Sequence, residues 1–236
     1  MNKPRVICHM LTSVDGKVTG DFLSLADVAD GVEEYYRINR AFAADAYACG
    51  RVTMEGSFTG GAQPDLSAYA PCEGHPTGFA MDFSDEIDRR YFAVAFDRKG
   101  SLGWSGNLIE DADPGYGGAH IIEILTEEVD SRYYAYLEER KISYIVAGKY
   151  DIAVPFALYM LQYVFGVNTL LLEGGSVLDG AFQRSGMIDE LSLVSVPVVG
   201  DKDDKPLFWD SVQESYRLTE ARPLDSGALW LRYQKV

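Results

Sequence analysis

Cysteine and histidine are scarce in this sequence, with three of each among 236 residues. Cys8, Cys49 and Cys72 are odd in number and lack the close, even spacing of a disulfide framework. No Cys and His residues show the spacing of a zinc site, so no metal centre is predicted. Cys8 and Cys49 lie in apolar stretches, which favours buried thiols over reactive ones.

Basic residues and long apolar runs are also scarce. Lys and Arg total 21 against 36 Asp and Glu, which gives a formal net charge of −15. Such a surface repels phosphate backbones, so neither nucleic acid nor an anionic membrane is expected as a partner. No segment approaches the roughly 18 apolar residues of a membrane span. His9 and Asp15 interrupt the first apolar run, which is unlike a signal peptide, so we expect a cytoplasmic protein.

Short apolar segments alternate with helical patterns along most of the chain. Strands are predicted at 5–11, 46–49, 91–96, 119–124, 142–147, 169–172 and 191–198. Helices are predicted from a capping box at Asp30 and Glu33 to near Asp45, and at 130–139, 155–165 and 176–185, with one helical turn at 84–89. Strands at 216–220 and 229–234 form an antiparallel hairpin. This order predicts one α/β domain over 1–236, with a mixed, mainly parallel sheet.

The densest chemical pattern is a strand, a turn and a helix at 168–184. The apolar strand 169–172 leads through Glu173 into Gly174 and Gly175, and a helix starts at once with a Ser176-x-x-Asp179 capping box. Glycines let a ligand approach the backbone, and the free N–H groups of a first helical turn favour an anion. A tight turn without a ligand is an equally good interpretation of these residues alone.

Two more strands end in turns that suit a phosphate. One is Gly50-Arg51-Val52-Thr53, and the other is Asp97-Arg98-Lys99-Gly100. Because ligands of open α/β sheets bind at the carboxyl ends of strands, the three turns together predict one cleft for a phosphorylated ligand. Neither a G-x-G-x-x-G fingerprint nor a Walker loop is present.

These motifs resemble the dihydrofolate-reductase-like superfamily, and more closely its RibD C-terminal domain family, the reductase half of the bacterial riboflavin-biosynthesis deaminase/reductase. The matching pieces are the segment 12–17 after the first strand, Gly50-Arg51-Val52-Thr53, and the run from Leu170 to Gly200. The resemblance implies a dihydrofolate-reductase-like fold, NADPH as hydride donor, a heterocyclic small-molecule substrate and a homodimer.

The resemblance also implies residue roles. Those implied for the cofactor are Leu11 near the nicotinamide, Arg51 and Thr53 on the phosphates, Arg98 at the adenosine 2′-phosphate, and Gly174, Gly175, Ser176, Val177 and Leu178 around the pyrophosphate. Glu173 and Arg40 would bind the substrate, and Asp15 would be the catalytic residue. From the residues alone, Asp15 could equally order its own turn, and Glu173 could equally cap the amides that follow it.

Two departures from the family pattern limit the substrate prediction. The deaminase half is absent, because there is no His-x-Glu and Cys72 and His75 do not complete a zinc motif. The family's Asp-Asp-Pro-x-Leu-Thr-x-Arg substrate motif is replaced by the glycine-rich segment 56–66. The leading hypothesis is therefore an NADPH-dependent reductase of a pyrimidine-like molecule, similar to 5-amino-6-(5-phosphoribosylamino)uracil reductase. The alternatives are a dihydrofolate or pterin reductase and a non-catalytic NADPH-binding dimeric module.

Overall fold

A computed structural model describes residues 2–71, 78–80 and 91–236. The strands are β1 (Arg5–Thr12), β2 (Ala46–Gly50), β3 (Phe79–Ala80), β4 (Phe92–Phe96), β5 (His120–Leu125), β6 (Ser143–Val146), β7 (Thr169–Leu172), β8 (Glu190–Ser195), β9 (Tyr216–Pro223) and β10 (Leu229–Lys235). The α-helices are α1 (Ala29–Phe42), α2 (Arg51–Met54), α3 (Ser131–Glu139), α4 (Val154–Phe165) and α5 (Ser176–Arg184).

The chain divides into two compact units. Unit 1 contains Met1–Pro4 and Asp45–Asn168, and unit 2 contains Arg5–Ala44 and Thr169–Val236. The prediction of a single domain over 1–236 stays a prediction.

Unit 1 has a sheet in the order β3-β6-β5-β4-β2. β2, β4, β5 and β6 pair in parallel, and the two-residue β3 pairs antiparallel with β6. Every residue of β4 and β5 is buried, as expected for parallel strands covered on both faces. Parallel pairing places the carboxyl ends of these four strands at one edge of the sheet, where the Arg51 and Arg98 turns begin.

The helices of unit 1 have clear start and stop signals. The Asp130 side chain accepts from the Arg132 amide and caps α3, and the pKa of Asp130 is lowered to about 2 by hydrogen bonds from Arg132. Pro155 lies in the first turn of α4, and Gly166 ends this helix in the left-handed conformation.

Unit 2 has a sheet in the order β7-β1-β8-β10-β9. β7, β1 and β8 are parallel, and β10 and β9 continue the sheet as an antiparallel hairpin. Helix α1 covers one face of β1 through a core cluster of Leu11, Phe22, Val28, Ile38, Val194, Val196 and Ala228. The predicted α/β class, its mainly parallel pairing and its C-terminal antiparallel hairpin are confirmed.

Several local predictions were wrong. No capping box forms at Asp30, because a 3₁₀ turn at Ala26–Val28 leads directly into α1 and places Asp30 inside its first turn. The residues after Gly50 are not an open turn but the short helix α2, followed by a π-helical turn at Glu55–Thr59. The helical turn predicted at 84–89 and the residues Cys72 and His75 lie outside the described residues.

None of the helices in the described ranges has the length and apolar character needed to cross a membrane.

Candidate functional site

The turn between β7 and α5 is built around two glycines. Gly174 has a φ of 87°, and a Cβ at this position would lie 2.9 Å from Met10 Cε, so both backbone conformation and space favour glycine. The Gly174–Gly175 peptide bond is cis. Gly175 is the N-cap residue of α5, and it provides no side chain to accept from the first amides of the helix.

The backbone ladder of α5 starts where the amides of Leu178 and Asp179 donate to the Gly175 carbonyl, at 2.8 and 3.1 Å. The amides of Ser176 and Val177 come before this ladder, and no side chain of the described residues caps them. The predicted capping box of Ser176 and Asp179 is therefore wrong. Val177 is 57% exposed, whereas Ser176 is 1% exposed.

The segment after β8 packs against α5 and holds the turn in place. The Ser176 hydroxyl donates to the Pro206 carbonyl at 2.5 Å, and the Trp209 amide donates to the Ser176 carbonyl at 3.0 Å. A Cβ on Gly180 would lie 1.9 Å from the Trp209 carbonyl oxygen, so only glycine permits this contact. The Ser176 hydroxyl, which the sequence predicts to cap α5, instead forms a hydrogen bond with the segment after β8.

Beneath the turn lies a buried carboxyl group. Asp179 is fully buried, and neither of its carboxyl oxygens has a hydrogen-bond partner among the described residues. Oδ2 would lie 3.4 Å from a Cβ on Gly174. Burial, with a smaller contribution from the Glu173 charge, raises the pKa of Asp179 well above its usual range. Burial and the same two carboxyl groups raise the pKa of the buried Cys8 thiol.

Glu173 ends β7 on the side of the sheet that α1 covers. It is 7% exposed, and its Oε1 accepts from Asn39 Nδ2 at 2.5 Å. Asn39 is itself buried in the middle of α1's inner face, so helix and strand end are joined by this bond. The sequence signal was available, since Asn39 is a polar residue within the otherwise apolar stripe of this helix.

A second series of hydrogen bonds connects α1 to the sheet. Trp230 Nε1 donates to Ser192 Oγ at 2.9 Å, and Ser192 Oγ lies 3.0 Å from His9 Nδ1. His9 Nε2 lies 3.1 Å from the Tyr35 carbonyl, and Nδ1 lies 3.2 Å from the Ser192 carbonyl, so each ring nitrogen faces a backbone acceptor. Burial lowers the pKa of His9 to about 4. His9 is therefore a neutral core histidine rather than a proton donor.

Asp15 orders the loop after β1. Its Oδ1 accepts from the Ser13 hydroxyl at 2.6 Å and from the Gly200 amide at 2.9 Å. These two hydrogen bonds lower the pKa of Asp15, whose side chain is exposed. The residue predicted to be catalytic is thus ionised and bound to its own loop, and its catalytic role stays a prediction.

Leu11 and Arg40 are also in unit 2, and neither takes part in the hydrogen bond between Asn39 and Glu173. The Leu11 side chain is 8% exposed and packs in the core cluster. Arg40 is on the exposed face of α1, where it lines a shallow groove with Arg37 and Asp225. The neighbour of Arg40 in sequence, Asn39, is the α1 residue that reaches Glu173.

The other predicted cofactor residues, Arg51, Thr53 and Arg98, belong to unit 1. Arg51 and Thr53 both lie in α2, where Arg51 Nη1 contacts Glu55 Oε2 at 2.6 Å. Arg98 Nη1 contacts Asp151 Oδ1 at 2.5 Å, and both side chains are more than half exposed. Each guanidinium therefore already has a carboxylate partner that a bound phosphate would replace.

The turn that carries Arg98 is held by the buried Asp97. The Asp97 carboxylate accepts from the amides of Lys99, Ser101 and Leu102 at 3.1, 2.5 and 3.0 Å. In this turn, a side chain accepts hydrogen bonds from the backbone amides, whereas the first amides of α5 have no side-chain cap.

Glu123 is a second buried carboxyl group in unit 1 that sequence reasoning missed. Its Oε1 accepts from Tyr133 at 3.3 Å and from Trp104 Nε1, and its Oε2 has no partner among the described residues. Burial, followed by the Asp97 charge, raises the pKa of Glu123 well above its usual range. A glutamate in the apolar strand segment His-Ile-Ile-Glu-Ile-Leu was the available signal. Within the described ranges, no group of His, Cys, Asp and Glu could hold a metal ion.

Comparisons with known proteins agree with the turn geometry. A family model described as the RibD C-terminal domain matches residues 117–230, which include β7, the diglycine turn and α5. The matched part of the chain is similar to the RibD C-terminal domain family. The predicted resemblance is confirmed. No curated protein matches the sequence.

Solved structures show the same fold. A pyrimidine reductase-like protein from Corynebacterium diphtheriae is 16% identical with a TM-score of 0.68, over 99% of this chain and 92% of that one. RibD of Acinetobacter baumannii is 17% identical with a TM-score of 0.64, and riboflavin biosynthesis reductase Rib7 of Saccharomyces cerevisiae is 13% identical with a TM-score of 0.57. Both matches cover 99% of this chain, with 58% of the RibD chain and 90% of the Rib7 chain covered. At these identities the likeness confirms the dihydrofolate-reductase-like fold class.

Proposed function

We propose that this RibD C-terminal domain is an NADPH-dependent reductase of a pyrimidine-like small molecule, similar to 5-amino-6-(5-phosphoribosylamino)uracil reductase. The observation that carries the proposal is the turn between β7 and α5. It offers the uncapped amides of Ser176 and Val177 beside Glu173, a buried acid at the same strand end. An anion-binding helix end next to a polar substrate contact is the arrangement that a hydride transfer from a dinucleotide requires.

The residues present fit a dinucleotide. The turn does not supply its own anion, because Gly175 has no side chain, and burial raises the pKa of Asp179, which favours its neutral form. A pyrophosphate at the α5 amides would therefore meet no negative side chain from the first turn of this helix. Unit 1, taken by itself, carries two guanidinium groups in replaceable ion pairs, Arg51 and Arg98, which suit a phosphate.

The cofactor would supply the hydride, and the chain's residues would place the acceptor. Asn39 donates to one oxygen of Glu173 and so fixes the carboxyl group at the strand end. We assign the Glu173 carboxyl group to the contact with an N–H of the heterocycle. Asp15 is ionised, because its pKa is lowered, and would act as a hydrogen-bond acceptor rather than as a proton donor.

The proposed substrate is given only as a class. The family's substrate motif is replaced by the segment 56–66, and the structure builds its first part, Glu55–Thr59, as a π-helical turn. A pyrimidine-like ring suits the Glu173 contact, whereas the phosphoribosyl part has no assigned residue. The predictions of a homodimer and of a cytoplasmic location stay predictions.

The test is an NADPH-oxidation assay with the uracil substrate named above and with dihydrofolate as acceptors. We expect turnover with the pyrimidine only, and Glu173→Gln should reduce kcat about 100-fold while leaving NADPH affinity within about twofold. The glutamine keeps an oxygen for Asn39, so folding is preserved. Turnover with dihydrofolate alone would establish a pterin reductase instead. NADPH binding without oxidation by either acceptor would favour the non-catalytic module.

A further inference from the structure

The ion pair between Arg98 and Asp151 lies at the carboxyl ends of the unit 1 strands. Arg98 comes two residues after β4 and Asp151 five residues after β6, on either side of β5 in the sheet. Their side chains are 52% and 80% exposed, and Nη1 and Oδ1 are 2.5 Å apart. Exposed ion pairs contribute little to stability, so a ligand can replace either partner at small cost.

The turns directly after β4, β5 and β6 carry more carboxylates than cations. The cations are Arg98, Lys99 and Lys149, and the carboxylates are Asp97, Glu127, Glu128, Asp130 and Asp151. Tyr150 precedes Asp151 and is 62% exposed, with Lys149 Nζ 5.0 Å from its ring centroid. An exposed ring beside an arginine and a carboxylate suits a nucleoside, because it offers a stacking surface and polar partners for a ribose.

The two groups of the pair have opposite preferences for a ribose 2′ position. A guanidinium binds a 2′-phosphate, as in NADPH, through charge-assisted hydrogen bonds. A carboxylate accepts a hydrogen bond from a free 2′-hydroxyl, as in NADH, and repels a phosphate. In this structure Asp151 occupies the guanidinium that a 2′-phosphate would need.

We infer that Asp151 is a cofactor-selectivity residue, which reduces the preference of the protein for NADPH over NADH. It competes with the 2′-phosphate for Arg98 and offers an acceptor to a 2′-hydroxyl. The inference rests on the proposed function, since it requires that the strand ends of unit 1 bind the adenosine half of a nicotinamide dinucleotide.

The experiment measures dissociation constants of NADPH and NADH by calorimetry for the wild type, Asp151→Asn and Arg98→Met. Asp151→Asn should tighten NADPH binding about fivefold and weaken NADH binding about twofold, as expected for the gain or loss of one exposed charge interaction. Arg98→Met should weaken NADPH binding about tenfold and leave NADH binding within about twofold.

Asp203→Asn is the matched control. Asp203 is also an exposed carboxylate in an ion pair, with Lys202 Nζ at 3.3 Å, and its substitution removes the same charge. It should change the two dissociation constants by the same small factor and leave their ratio unaltered.

The outcomes separate the two proposals. If the wild type binds both nucleotides and Asp151→Asn leaves their affinity ratio equal to that of Asp203→Asn, the selectivity role is overturned and the reductase proposal stands. If the wild type binds neither nucleotide, both proposals are overturned. A ratio that shifts towards NADPH only in Asp151→Asn supports the inference.

Discussion

The turns that follow β4 and β7 both leave a buried parallel strand, yet they treat their backbone amides in opposite ways. After β4, the Asp97 carboxylate accepts from three amides of its own turn. After β7, Gly175 offers no acceptor and the first amides of α5 stay uncapped by side chains. A turn that satisfies itself can present only side chains to a ligand, here Arg98, whereas an uncapped turn presents its backbone.

The buried acids near the two turns show the same contrast. Asp97 uses both oxygens as hydrogen-bond acceptors, while both oxygens of Asp179 lack partners among the described residues. Burial raises the pKa of Asp179 and so favours its neutral form beneath the helix N-terminus, which attracts an anion. The comparison indicates that unit 1 would recognise phosphate through replaceable ion pairs and unit 2 through fixed backbone groups.

The largest effect should come from breaking the self-satisfied turn. Asp97→Ala leaves the amides of Lys99, Ser101 and Leu102 without their acceptor, and the bond from Leu102 is buried. The substitution should lower the free energy of unfolding by about 3 kcal/mol in urea denaturation. The control is Asp65→Ala, whose carboxylate accepts from the Ser67 amide at 2.9 Å on the surface. Its loss should be much smaller, and equal losses in the two variants would contradict the role given to Asp97.

A smaller effect, with a defined pH dependence, should follow from Asp179→Asn. Because the pKa of Asp179 is raised in the folded state, the folded protein binds a proton that the unfolded chain releases above its ordinary pKa. Wild-type stability should therefore fall, relative to the variant, as pH rises above the ordinary aspartate pKa of about 4.

Chemical denaturation between pH 4 and pH 8, with Asp203→Asn as the exposed control, measures this difference. A constant difference, or a wild type that gains stability over the variant with rising pH, would show that Asp179 is ionised in the fold.

The smallest effect on stability is expected for alanine substitutions of two glycines, which test whether the turn between β7 and α5 binds the cofactor. Gly174→Ala and Gly227→Ala both place a side chain at positive φ, at 87° and 79°, and each should cost at least about 1 kcal/mol of unfolding free energy. Gly174→Ala should cost more, because its Cβ would lie 2.9 Å from Met10 Cε. Gly227 faces open space in the hairpin turn. Only Gly174→Ala should also weaken NADPH binding, by at least about tenfold. Equal NADPH affinities in the two variants would remove Gly174 from the site.

Strand positions were predictable because buried parallel strands are continuous apolar runs with polar or glycine boundaries. β7 was predicted at its observed bounds, since Asn168 and Glu173 flank a threonine and three leucines. The two-residue β3 has no pattern to detect, because its place in the sheet depends on pairing with β6. A long apolar run with clear boundaries can be recognised as a strand from the sequence around it. A short pairing between residues that are distant in sequence cannot be recognised in this way.

Caps and site partners were harder to predict, because tertiary contacts decide where a polar side chain points. Ser176 was predicted to cap α5, but its hydroxyl donates a hydrogen bond to the Pro206 carbonyl, 30 residues later. Arg40 was chosen by resemblance, whereas its neighbour Asn39 reaches Glu173 across the fold. The turn itself could be predicted from neighbouring residues in the sequence, whereas the partners of its side chains could not.

The most direct test of the account is an NADPH titration of the wild-type protein. Trp209 is suited to report it, since its amide donates to the Ser176 carbonyl in the first turn of α5 and its side chain is 53% exposed. The account predicts a saturable change in tryptophan fluorescence that is absent in Trp209→Phe, with a dissociation constant well below about 1 mM and the same value by calorimetry. No saturable binding by either method up to about 1 mM NADPH would contradict the assignment of the β7–α5 turn as a dinucleotide site.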